Sequence, residues 1–97
     1  MITSFEHQLA DDLFLDRESR DTNRLPPWLR RTDRRKILYL HAAAELADLR
    51  VPPGNRLKQL KGNFKGYHSI RVNDQWRLVF LWLNGNVTDL QLIDYHD

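Results

Sequence analysis

Cysteine is absent from the 97 residues. Its absence excludes disulfide staples and thiolate metal sites, and it accords with a reducing cytoplasm. Long apolar runs are missing too. None approaches the roughly 20 residues that a membrane-spanning helix needs, so no membrane association is expected. The opening Met1-Ile2-Thr3-Ser4-Phe5-Glu6-His7 lacks the basic-then-apolar order of a secretion signal, and the expected location is cytoplasmic. Histidines and carboxylates do not fall at metal-ligand spacings, and no phosphate-cradling glycine loop occurs. Neither a metal nor another cofactor is expected. The chain has length for one domain, residues 1–97, and for one core. Any catalysis therefore belongs on an open face or in a shallow cleft.

Net charge is also scarce, only +2, but it is unevenly placed. Residues 1–50 hold nine Lys or Arg against nine Asp or Glu. From Arg56 to Arg77 six basic residues (Arg56, Lys58, Lys61, Lys65, Arg71, Arg77) meet one acid, Asp74. A local excess of this kind suits either a polyanion, nucleic acid first, or a solvated surface.

Periodicity divides the chain into a helical half and a strand half. Ile2 to Phe5 reads as a short strand, and Leu9, Leu13 and Phe14 fall at helical spacing. The apolar-free stretch from Asp16 to Arg24 reads as an exposed loop or frayed helix end. Pro26 and Pro27 suit the first turn of a helix running to about Ala43, with Ile37, Leu38, Leu40 and Ala44 as its buried stripe. After a short turn at residues 45–49, Val51-Pro52-Pro53-Gly54 is a stop. Leu57 to Leu60, Tyr67 to Val72, Trp76 to Leu83 and Val87 to Asp94 follow as strand candidates. Helices first and a meander afterwards imply an α+β domain with helices on one face of an antiparallel sheet.

Strand register decides which side chains share a face. A three-residue loop over Asn73-Asp74-Gln75 places Ile70, Val72, Trp76, Leu78 and Phe80 on the core face. Tyr67, Ser69, Arg71, Arg77 and Val79 then lie on the other. Asn84-Gly85 is a two-residue turn signal, yet a three-residue loop over Asn84–Asn86 keeps Leu90 and Leu92 inside. The burial pattern favours the longer loop. Gln91, Ile93 and Tyr95 then join Arg71 and Arg77 outside.

RNA cleavage by a neighbouring 2′-hydroxyl needs a base, cations around the five-coordinate phosphate, and an acid for the departing 5′ oxygen. Arginine suits the second task, because its planar donors match phosphate oxygens and it stays charged. Histidine suits the first or third. Asp94-Tyr95-His96-Asp97 offers a histidine beside a carboxylate and a phenol, though it also reads as a frayed tail. His7 and His41 are weak candidates, His68 reads as a core-edge residue, and Trp28, Trp76 and Trp82 suit either the core or base stacking.

Val51-Pro52-Pro53-Gly54-Asn55-Arg56-Leu57, Leu60-Lys61-Gly62, Lys65-Gly66, the string Ser69 to Arg77 and the closing Asp94-Tyr95-His96 resemble the HigB family. The resemblance covers residues 49–96 well and the helical half more weakly. It implies a RelE-like fold, with an N-terminal strand and helices packed on one face of a small, mainly antiparallel sheet. It also implies metal-free, ribosome-dependent cleavage of mRNA, with the 70S ribosome as partner. A HigA-type helix-turn-helix antitoxin would neutralise the protein, and their complex would bind operator DNA. Asp94, Tyr95, His96, Lys61, Arg71 and Arg77 match the family's catalytic residues by type, and Arg56, Lys58 and Lys65 are expected to bind RNA. Lys58 stands where some relatives carry histidine. Lysine, with a reference pKa of ~10.4, suits phosphate binding better than proton abstraction. Two alternatives keep the fold: a non-catalytic ribosome- or RNA-binding module, and an operon-regulatory subunit.

Overall fold

The structure, a computed structural model, describes residues 1–94. Three helices precede the sheet: α1 (Gln8–Phe14), α2 (Arg20–Asn23) and α3 (Pro27–Ala42). Pro27 occupies the first position of α3, where a missing N–H costs nothing. The inward stripe of α3 is Leu29, Asp33, Lys36, Ile37 and Leu40. Leu38, expected inside, is 39% exposed, and Ala44 is exposed as well; Ala43 is buried instead. The stretch Asp16–Arg24, expected as an exposed loop or frayed helix end, contains α2. Ser19 Oγ accepts from the Thr22 amide at 3.2 Å, and Thr22 Oγ1 accepts from the Ser19 amide at 2.8 Å. This reciprocal capping box supplies the start signal that the apolar pattern lacks.

Four antiparallel strands follow in spatial order: β1 (Lys58–Gln59), β2 (His68–Arg71), β3 (Trp76–Leu83) and β4 (Asn86–Asp94). The expected N-terminal strand is reduced to two isolated parallel bridges beside β4, Ile2 to Val87 and Phe5 to Leu90. The sheet's inner face gives Ile70, Val72, Leu78, Phe80, Val87, Leu90 and Leu92 to a core shared with Leu13, Leu29, Ile37 and Leu40.

The register of β2 and β3 matches the three-residue loop, with Arg71 opposite Arg77 and Ile70 opposite Leu78. Asn73 Oδ1 closes that turn by accepting from the amides of Gln75 and Trp76 at 2.9 and 2.8 Å. The connection from β3 to β4 corrects the expectation. Leu83 pairs with Asn86, so the loop is the two-residue Asn84-Gly85, both at positive φ (53° and 79°) as such hairpins require. The missing residue is absorbed by a bulge between the Leu81–Thr88 and Val79–Gln91 pairs. There Asp89 takes φ 53°. Ser4 fixes the bulge: its Oγ accepts from the Asp89 amide at 2.9 Å and donates to Asp89 Oδ1 at 3.2 Å. Leu90 and Leu92 therefore still face inward, opposite the outward Gln91 and Ile93.

Candidate active site

The outer face of the sheet brings the basic residues of the strand half together. Lys58 lies opposite Ser69 across β1 and β2, and Arg71 lies opposite Arg77 across β2 and β3. Like charges directly opposite destabilise a sheet, so this pair breaks a local rule at the place where RNA chemistry would need cations. Arg71 also pairs with the exposed Asp74.

Arg77 is on the expected face, but it is not on the surface. It is only 8% exposed, and Ser69 beside it is fully buried. The Arg77 Nε donates to Ser69 Oγ at 2.8 Å, and its Nη2 donates to the Arg56 carbonyl at 2.8 Å. Together these contacts fix the plane of the guanidinium. The sheet face is thus partly covered by residues 51–57, which fold over its β1–β2 edge.

That cover is itself anchored. Arg56 adopts a left-handed conformation, φ 46°, which is costly for a residue with a Cβ, while its carbonyl receives Arg77. Asn55 is fully buried. Its Nδ2 donates to the carbonyls of Leu49 and Val51 at 3.1 and 3.2 Å, and its Oδ1 accepts from Lys36 Nζ. Lys36 reaches this point from α3 and is itself buried. Burial pushes its pKa down, and the neighbouring charges of Arg35 and Arg71 push the same way. Lys36, Asn55 and Ser69 form a support for Arg77 that sequence reading missed. The signal available was Asn55, a polar residue set between Pro52-Pro53-Gly54 and the basic segment.

The remaining candidates divide. Lys61 and Lys65 are exposed at the two ends of the loop between β1 and β2. The side chain of Arg56 is exposed, although its carbonyl is engaged. Asp94 pairs with Trp76, so it stands on the inner side of the sheet's end, away from Arg71 and Arg77. Its Oδ2 accepts from Gln75 Nε2 at 3.0 Å. Tyr95 and His96 lie outside the described residues. His68 faces inward beside Phe80, ring centroids 6.0 Å apart, and burial lowers its pKa. His41 is half-buried, and its Nδ1 accepts from the Ile2 amide at 3.2 Å.

Comparison with known proteins adds a lineage to this geometry. A family model described as "RelE-like toxin of type II toxin-antitoxin system HigB" matches residues 3–96. A protein named Toxin HigB-1 from Vibrio cholerae is 57% identical over 51 residues, 53% of this chain and 54% of that protein. The chain therefore matches about half the length of that relative. Endoribonuclease HigB from Proteus vulgaris is 32% identical over 96 residues, covering 99% of this chain and 100% of that protein. The YoeB chain arrangement is also similar: a YoeB–YefM complex from Staphylococcus aureus superposes with a TM-score of 0.54 at 19% identity, covering 100% of this chain and 99% of that one. That likeness concerns the fold alone.

Proposed function

Because this chain belongs to the HigB family of RelE-like toxins of type II toxin–antitoxin systems, we propose that it is an endoribonuclease that cleaves mRNA on the ribosome by attack of the 2′-hydroxyl, using side chains and no metal. The observation that carries this reading is the cross-strand pair Arg71–Arg77, with Arg77 fixed by Ser69 and the Arg56 carbonyl. A cation held in place before the reaction needs no reorganisation when charge develops on the phosphate. Its low-dielectric setting strengthens its field.

In this scheme Arg71, Lys58 and Lys61 meet the phosphate from the open side of the face, while Arg77 acts from beneath. Arg56 and Lys65 hold the flanking strand. His96 donates a proton to the departing 5′ oxygen or orients the 2′-hydroxyl, with Tyr95 positioning it or the substrate and Asp94, on the inner side of the sheet's end, acting on His96 alone. A helix-turn-helix antitoxin of the HigA type restrains the enzyme, and their complex binds operator DNA. The cytoplasm supplies both ribosome and antitoxin.

Induced expression followed by mapping of transcript 5′ ends tests the scheme. New ends inside translated regions, lost in Arg71→Ala, are expected. Ends that persist in untranslated RNA would remove the ribosome from the reaction. Dependence on an added transition metal at fixed magnesium would replace the side-chain mechanism.

A further inference from the structure

The first fifty residues are balanced in charge, but folding leaves the arginines of α3 without ion pairs among the described residues. Helix α3 carries Arg30, Arg31, Arg34 and Arg35, while Asp33, its one acid, is turned into the core and fully buried. Among the described residues none of the four arginines makes an ion pair. Arg30 makes one hydrogen bond, to Asn23 Oδ1 at 3.2 Å. Arg30 with Arg34, and Arg31 with Arg35, are like charges at i,i+4 spacing, which weakens a helix. A helix that accepts this without an ion-pair partner points to a ligand.

Two further features narrow the ligand. Trp28 is 54% exposed and lies on the same ridge of α3 as Arg31 and Arg35, at i, i+3 and i+7. An exposed indole beside guanidinium groups is a platform for a nucleobase. All four arginines, Arg30, Arg31, Arg34 and Arg35, line an open cleft of about 550 Å³ between α3 and the segment that follows α1, and Trp28 stands outside it. The opposite wall carries Asp16 and Glu18 beside the Asp12–Arg17 ion pair, so a phosphate backbone is favoured on the α3 side. Leu29, Ile37 and Leu40 fix α3 against the inner face of the sheet. The arginine ridge therefore points away from the sheet, whereas Arg71 and Arg77 lie on the sheet's far side.

We infer that α3 carries a second RNA-binding surface, in which Trp28 stacks on an unpaired base and Arg31 and Arg35, backed by Arg30 and Arg34, hold the adjoining phosphates. A protein with cationic surfaces on opposite sides suits a site walled by folded RNA better than a free strand. The inference deepens the ribosome-dependent reading and rests on it for the source of that RNA.

Fluorescence anisotropy of the purified full chain with a labelled RNA hairpin bearing an unpaired loop tests it, over a series of salt concentrations. Four proteins are compared: wild type, Trp28→Ala, R31E/R35E and R20E/R24E. The last makes the same change of net charge on α2 and its C-cap. Trp28→Ala should weaken binding roughly tenfold with an unchanged salt slope. R31E/R35E should weaken it at least about tenfold and lower the slope by about two. R20E/R24E should stay within about twofold of wild type. All side chains changed are exposed, and thermal melting followed by circular dichroism checks that the fold is kept. Wild-type affinity in Trp28→Ala, or equal losses in the two double variants, would overturn the inference. Retained RNA binding with lost antitoxin binding would also overturn it and assign the ridge to the protein partner. Binding is read without cleavage, so an inert sheet face would leave a positive result standing.

Discussion

Replacing Asp33 with asparagine should reshape the dependence of stability on pH. Asp33 lies on the inward stripe of α3 with Leu29 and Ile37, it is fully buried, and neither carboxylate oxygen has a hydrogen-bond partner among the described residues. Burial raises its pKa from the ordinary 3.8 to about 7. A carboxyl raised in this way keeps its proton in the folded state while the unfolded chain has already lost it. Its contribution is therefore intact below 3.8 and is lost progressively as pH rises to about 7. At about 1.36 kcal/mol per pH unit, that window corresponds to about 4 kcal/mol. This is a large share of the roughly 5–15 kcal/mol that holds a domain folded.

Asparagine keeps the shape and cannot ionise. Denaturant unfolding of both proteins between about pH 4 and about pH 8 should give coincident stabilities at the acid end. The curves should separate by about 2–4 kcal/mol in favour of Asp33→Asn at the alkaline end. His68, whose pKa burial lowers, changes stability in the opposite sense, but it is common to both proteins and cancels in the difference. Parallel curves across the whole range would refute the reasoning, because they would show that Asp33 finds a partner or water in solution.

Arg77→Ala should lower cleavage by about 10²–10³ and also lower stability by about 1–3 kcal/mol, since Ser69 and the Arg56 carbonyl lose their donor; single-turnover cleavage and denaturant unfolding read the two effects separately. Lys36→Met should leave the buried Asn55 Oδ1 without its donor, costing about 1–3 kcal/mol and loosening residues 51–57, seen as faster amide exchange there than in α1. His96→Ala should abolish growth arrest on induction while antitoxin binding persists, whereas removing Asp97 alone should change neither; full toxicity of His96→Ala would move suspicion to Lys58, Lys61 and Tyr95.

Much of the sheet was legible because its side chains alternate against a single core. The β2–β3 register followed from placing Ile70, Val72, Trp76, Leu78 and Phe80 on one face, and the strand pairing agrees. The second hairpin posed a conflict between Asn84-Gly85, which asks for two loop residues, and Leu90 with Leu92, which ask for three. Both signals are obeyed, since the bulge at Asp89 supplies the extra residue within the strand. A bulge stabilised by Ser4, about eighty-five positions away in the chain, leaves no local pattern to read. Helix α2 was not told apart from a loop for a similar reason. Its start is set by Ser19 and Thr22 rather than by apolar spacing.

The candidate site shows what alternation alone cannot supply. It assigns Arg77 to the outer face, but the depth of Arg77 depends on residues 51–57, whose path over that face is set by Asn55, Lys36 and the left-handed Arg56. These contacts join α3, a loop and the sheet, three places with no shared periodicity. Charge counting fails in the same way in the helical half. Nine acids offset nine bases there only along the chain; in space Asp12 binds Arg17 at 3.1 Å, Asp33 is buried, and the α3 arginines are left together. Electrostatic function follows from distances between charges and from the dielectric around them. A balanced half-sequence can therefore fold into a ridge of arginines with no ion pairs among the described residues, and such a ridge becomes readable once the inward and outward stripes of its helix are known.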